Sequence, residues 1–129
     1  MSKTIAQKLM LKPGQRLQVI DPPDGFLASL GDLPPEVKLV APTAKEADAI
    51  QVFVASLYDL RKLLPEIKPR LSRDGMLWVT YPKGMGKKPG GIDRDVIREF
   101  APTIGLQAVS LFSVDSTWSA MRLKIVSSD

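Results

Sequence analysis

Residues 80–95 read TYPKGMGKKPGGIDRD, with Lys83, Lys87 and Lys88 set among Gly84, Gly86, Gly90 and Gly91. Glycine frees backbone N–H groups to approach a ligand, and lysine adds a point charge, so these are the ingredients of a phosphate cradle. A P-loop needs Gly, four residues, then Gly-Lys-Ser/Thr, and counting from Gly84 puts Pro89 where the second glycine belongs. The dinucleotide pattern Gly-x-Gly-x-x-Gly fits at Gly84 and Gly86 and fails at Pro89 again. The helical pattern that follows opens with Asp93 and Asp95, whose charges occupy the favourable end of its dipole and would repel a phosphate. What is left is a glycine-rich loop of roughly ten residues, long enough for a lid or a partner-binding segment. A point-charge contact from Lys83 remains open to it.

Two absences narrow the chemistry. The 129 residues include no cysteine and no histidine. Thiolate nucleophiles, disulfides, iron–sulfur clusters, Cys/His zinc sites and histidine-based acid–base catalysis are excluded. A carboxylate-only Mg²⁺ or Ca²⁺ site is compatible with the composition, but no DxDxDG-type spacing suggests one, and no metal site is expected. Eighteen Lys and Arg against fourteen Asp and Glu give a net charge of +4. The basic residues are spread along the chain among acidic ones, which permits an acidic partner without demanding one. No apolar run approaches the roughly 18–20 residues of a membrane span, and the opening MSKTIAQKLMLKPG lacks the apolar core of a secretory signal, so a cytoplasmic location is expected.

The candidate groups are placed by the elements that carry them. Thr4 and Gln7 suggest a capping box on a short helix with Ile5 and Leu9. RLQVI (16–20) reads as a strand that stops at DPPDG. Phe26, Leu27, Leu30 and Leu33 have helical spacing. VKLVA (37–41) is a second strand, and Thr43 with Glu46 suggests a further capped turn of helix. AIQVFVAS (49–56) is continuously apolar, as in strands covered on both faces. Ser56 caps a helix through Leu60, Leu64 and Ile67 that Pro65 and Pro69 must kink or segment. SRDG is expected to turn the chain into the strand MLWVTY (76–81), where Trp78 is core. Val96, Ile97, Phe100 and Ile104 mark a helix that Gly105 stops. LQAVSLFSV and AMRLKIV close the chain as an antiparallel hairpin across the turn DSTWS. The expected architecture is one α/β domain over residues 1–129, three-layered and Rossmann-like, with a mostly parallel sheet and a C-terminal antiparallel hairpin.

In such a sheet ligands sit outside the carboxyl ends of the strands. The candidate rim therefore collects Asp21, Asp24, Gly25 and Phe26 after the first strand, Tyr58 after the third, Tyr81 and Lys83 after the fourth, and Asp115, Thr117 and Trp118 at the hairpin tip. Trp118 also has a packing role open to it, against the neighbouring strand with Arg122 stacking nearby. A separate basic surface would comprise Lys83, Lys87, Lys88, Arg94 and Arg98.

The order of elements resembles the class I methyltransferase fold in shortened form. The phrases LKPGQRLQVIDPPDGF, GMLWVTYPKG and DSTWSAMRLK resemble a family of small bacterial proteins known only as a domain of unknown function. The methyltransferase likeness implies S-adenosylmethionine held by an acidic residue and glycines after the first strand, and by an acidic residue ending the second. Asp21 stands at the first acidic position, but Pro22 and Pro23 replace the glycines, and Ala41-Pro42 ends the second strand. Asp21-Pro22-Pro23 also resembles the Asp-Pro-Pro-aromatic motif of amino-directed methyltransferases, except that Asp24 follows and the motif comes too early; a rigid turn with a glycine exit is the plainer reading. The expectation is a non-catalytic domain that binds a small ligand or a protein partner at the rim, with no cofactor. The alternatives are a divergent S-adenosylmethionine-dependent methyltransferase, in which Asp21 contacts the cofactor and Tyr81 or Asp115 orients the substrate, and a basic module for nucleic acid or an acidic protein.

Overall fold

The computed structural model describes residues 4–84 and 89–126. The chain runs through α1 (Ile5–Lys8), β1 (Arg16–Ile20), β2 (Lys38–Val40), β3 (Ala47–Phe53), α2 (Leu57–Ile67), β4 (Leu71–Pro82), α3 (Arg94–Phe100), β5 (Leu106–Ser113) and β6 (Trp118–Ile125). The strands form one sheet in the order β2-β1-β3-β4-β6-β5. β1 pairs in parallel with β2 and β3, and β3 with β4. β6 runs antiparallel to both β4 and β5, so β5 points the same way as β4. This is the Rossmann-like α/β architecture expected, and it brings the β5–β6 tip to the same rim as the carboxyl ends of β1, β3 and β4.

Both faces of the central strands β1, β3 and β4 are covered. On one, Ile50, Val52, Leu77 and Val79 pack with Leu60, Leu64 and Ile67 of α2 and Ile97 of α3. On the other, Leu17, Val19 and Trp78 pack with Ala6 of α1, its C-cap Leu9, Phe26 and Leu30. Trp78 is 1% exposed, and its Nε1 donates to the carbonyl of Leu9 at 3.1 Å. That bond satisfies the indole and ties α1 to the sheet.

The helices start and stop where their caps say. Thr4 and Gln7 form the expected capping box, Ser56 accepts from the Asp59 N–H at the start of α2, and Asp93 does the same for Val96 at α3. α2 continues through Pro65 and gives way at Pro69 to a 3-10 turn, Lys68–Arg70. Gly105, at φ 78°, takes the left-handed position that ends the turn after α3.

Several local expectations are corrected. Thr43–Glu46 forms no helix; Glu46 instead pairs with Arg16 at 3.2 Å. The segment around Leu27–Ser29 closes only a 3-10 turn, with Pro34 and Pro35 following too soon for a longer helix. β3 begins at Ala47 and ends at Phe53 rather than spanning 49–56. β6 already begins at Trp118, inside the expected turn. Ser72–Asp74, expected as a turn, belongs to β4: Ala47 pairs with Leu71 but Ala49 with Met76, a register shift that loops three extra residues out of the ladder.

That irregularity has two consequences at the amino ends of the strands. A Cβ on Gly75 would lie 2.7 Å from the Asp48 carbonyl oxygen and 2.9 Å from that of Ser72. Asp48 in turn accepts from the Arg16 backbone N–H at 2.8 Å, from Arg16 Nε at 3.1 Å and from the Ser72 hydroxyl at 3.1 Å, joining β1, β3 and β4. The hydrogen bond from the Arg16 guanidinium holds the Asp48 carboxyl below the usual range for aspartate.

Gly75→Ala is therefore expected to cost about 1–3 kcal/mol, because two backbone carbonyls and the buried Leu71 side chain must yield; chemical denaturation measures it. Asp48 supplies stability that is present above its unfolded pKa of about 3.9 and is lost as pH falls through the lower folded value. The Tm gap between wild type and Asp48→Asn should thus stay constant from about pH 7 to 5 and shrink below about pH 4. A gap that widens on acidification would contradict this.

Candidate functional site

The loop leaving β1 is built as a tight turn. The Pro23 carbonyl accepts from the Phe26 N–H at 3.1 Å, and Gly25 takes φ 81°, the left-handed value of a type II turn's third residue. Asp21 takes φ 56°, a position uncommon outside glycine. It also precedes Pro22, whose ring restricts the residue before it. Asp21, Asp24 and Gly25 are exposed, whereas Phe26 is buried at 4% in the core. Phe26 is corrected from a ligand-facing residue to a packing one.

Phe26 nevertheless shapes the rim from beneath. Its ring meets Phe53 edge-on at 4.7 Å, and Phe53 meets Trp118 edge-on at 5.1 Å. The row passes over β4 because Thr80 and Ala120, the positions beside Phe53 and across the next strand, are small. Below it, Gln51 Nε2 donates to the Thr80 hydroxyl at 3.0 Å, both groups fully buried. Trp118 is half-buried, and its partner is Phe53 rather than Arg122. Phe53 belongs to the rim's floor and was missed because it reads as one more apolar residue of a buried strand.

The hairpin tip is fastened to the loop after β4. The Asp115 Oδ1 accepts from the N–H groups of Thr117 and Trp118, each at 2.8 Å. The Lys83 N–H donates to the Thr117 carbonyl at 2.8 Å. The Lys83 ammonium donates to the Ser113 hydroxyl and the Asp115 carbonyl. Lys83, Asp115, Thr117 and Trp118 are thus brought together, but the amine and the carboxylate spend their hydrogen bonds inside the tip.

Two rim residues are not gathered with them. Tyr81 lies on the α2/α3 face, buried at 6%, opposite in direction to Trp118. Burial raises its phenol pKa, offset in part by a hydrogen bond with Ser119. Tyr58 is 70% exposed on the outside of α2, with Lys62 over its ring at 6.0 Å. Of the basic set, Lys87 and Lys88 lie outside the described residues. Arg94 is exposed, and Arg98 stands 3.8 Å from Asp95 on the same helix. Among the described residues, no group of three or more acidic, His or Cys side chains could hold a metal, and no helix is long and apolar enough to cross a membrane.

Comparison with known sequences gives one decisive match, over residues 39–127, to the model of a family described as "Protein of unknown function (DUF3052)". The chain belongs to that family. No curated protein matches it. Among solved structures, this DUF3052 chain is similar to the ribosomal protein L11 methylase of Lactobacillus delbrueckii subsp. bulgaricus, at 13% identity, over 93% of this chain and 74% of that one, with a TM-score of 0.58. It is similar to a TehB-like SAM-dependent methyltransferase of Corynebacterium glutamicum at 15% identity, over 93% and 85%, with a TM-score of 0.55. The mitomycin 7-O-methyltransferase MmcR gives a TM-score of 0.66 at 12% identity, over 87% of this chain and 49% of that one. Identities this low establish the class I methyltransferase-like fold for the DUF3052 chain and leave its activity to its own residues.

Phe53→Leu should lose both edge-on contacts, each worth about 0.5–1.5 kcal/mol, and shift Trp118 emission to longer wavelength as the indole gains water. An unchanged spectrum beside an unchanged denaturation midpoint would show that the aromatic row does not hold the rim.

Proposed function

We propose that this chain is a binding domain that takes a small hydrogen-bond-donating ligand, or the corresponding groups of a protein partner, at the carboxyl-end rim beside β1, and that it does not transfer methyl groups. Topology supports the location. β2 lies on one side of β1 and β3 on the other, so the connections part there and leave a crevice at the strand ends.

The observation that carries the reading is the loop leaving β1. The methyltransferase likeness implies glycine backbone N–H groups at this point, and Pro22 and Pro23 have none. It also implies an acidic residue at the end of β2. The chain has Ala41-Pro42 there, and the Ala41 carbonyl already accepts from Gln18 Nε2 at 2.9 Å. The residues present do not fit S-adenosylmethionine in the way the fold implies. Nor are the remaining groups arranged for proton transfer: Tyr81 is buried on the opposite face, and Lys83 is held by the hairpin tip. Asp21 and Asp24, exposed acceptors on a rigid turn, are what the rim offers a ligand.

The test is thermal unfolding with S-adenosylmethionine, S-adenosylhomocysteine, nucleotides, a short oligonucleotide and a panel of amine- and hydroxyl-bearing metabolites. A ligand at 100 times its Kd adds about 2.7 kcal/mol, several degrees in a domain of this size. The expected outcome is no shift with the two methionine cofactors and a shift with a donor-bearing metabolite that Asp21→Asn abolishes. A cofactor shift that Asp21→Asn removes would restore the methyltransferase reading. A shift with the oligonucleotide that fades steeply with salt would favour the basic surface instead.

A further inference from the structure

At the other end of the sheet, on the face covered by α1, a hollow of about 240 Å³ is walled by Met10, Lys12, Gln15, Asp74, Met76 and Arg122. Arg122 sits in β6 opposite Trp78, so its side chain rises from the body of the sheet. Its Nε is shielded from solvent and has no hydrogen-bond partner among the described residues. A shielded donor without a partner destabilises a fold, the more so when it is charged. The ion pairs among the described residues are Arg16–Glu46, Arg16–Asp48 and Arg98–Asp95. Lys12, Asp74 and Arg122 thus line one hollow with both signs of charge and form no ion pair among the described residues.

The walls are otherwise prepared. Gln15 accepts from the Lys12 N–H through Oε1 at 2.9 Å, which leaves its amide N–H₂ as the donor. Met10, at φ 56°, takes the left-handed position that ends α1, just after the C-cap Leu9. Met10 and Met76 give the hollow adaptable apolar surface. Its volume falls below the roughly 300–1,000 Å³ of sites for drug-sized ligands.

We propose that this hollow binds a small zwitterion of the free α-amino acid class, its carboxylate on Arg122 and Lys12, its ammonium on Asp74 and its apolar side chain against Met10 and Met76. The hollow presents both signs of charge, Lys12 and Asp74 where it is exposed and Arg122 where it is half-buried, so a zwitterion is matched at both of its ends and a simple anion or cation at only one. This site is separate from the strand-end rim and does not depend on how the rim is used.

The experiment is a methyl-NMR titration, following Met10 and Met76, with L-leucine, L-methionine and L-phenylalanine. N-acetyl-L-leucine, which lacks the ammonium, and L-leucinamide, which lacks the carboxylate, are the comparison ligands. At least one free amino acid should saturate the shifts, and both derivatives should bind at least roughly tenfold more weakly. Arg122→Gln and Asp74→Asn should each weaken binding by a similar factor. Asp74 is exposed, so its variant keeps the test intact if Arg122→Gln does not fold. No saturation by any of the three at about 10 mM, equal binding of N-acetyl-L-leucine, or full binding by Asp74→Asn would each overturn the proposal.

Discussion

β3 lies fourth from one edge and third from the other, and both of its faces must be dry. Ala49, Gln51 and Phe53 point to the α1 side, and Ile50 and Val52 to the α2 side, all within 5% of full burial. A strand in that position cannot be reached by tight turns. Its neighbours are parallel, and a parallel partner needs a crossover that packs on a face of the sheet. α2 is that crossover from β3 to β4, and its stripe of Leu60, Leu64 and Ile67 exists to cover Ile50 and Val52. The same requirement sends the β1 connection outward to β2 before the chain returns to β3, and that detour opens the rim beside β1. The location of the candidate site is thus a by-product of keeping β3 covered.

Period and punctuation made the architecture legible. The apolar runs of β1, β3 and β4 and the caps at Thr4, Ser56 and Asp93 all carry short-range signals that tertiary structure then respects. What was not legible depended on partners distant in sequence. Thr43–Glu46 has the residues of a capping box, but Arg16, thirty residues earlier, takes the Glu46 carboxylate. Ser72–Asp74 has turn composition, yet Ala47 offers Leu71 a ladder partner, and the extra residues are absorbed beside Gly75. The rim was legible as a set of loops and not as a set of directions. Tyr81 and Trp118 leave neighbouring strands at the same end, but the register sets Tyr81 against Ser119 and Pro82 against Trp118. One residue of offset puts their side chains on opposite faces. No local pattern carries that information.

The lysine loop shows how a motif's ingredients can serve a structural end. Lys83 looked like a free cation for a phosphate. The structure uses it as a staple, with its backbone and its ammonium both bound to the β5–β6 tip. An ammonium with two acceptors already in place gains less from an incoming anion, because those bonds must be exchanged rather than added. On the proposed binding reading, strength at the rim then has to come from acceptors, and Asp21 and Asp24 are the exposed ones on the loop leaving β1.

Asp21 combines backbone strain with an exposed charge. It is left-handed and pre-proline at once, a combination that costs free energy and offers nothing to the core, since the residue is exposed. The turn from Pro23 to Phe26 supplies the compensation. Phe26 is anchored under the rim by Phe53, and the two prolines remove alternative backbone conformations from the unfolded chain as well as from the folded one. A glycine at Asp21 would relieve the left-handed position at little steric cost. A carboxylate stands there instead, on the loop where a methyltransferase-like fold would present glycines, and the proposed binding role rests on that exchange.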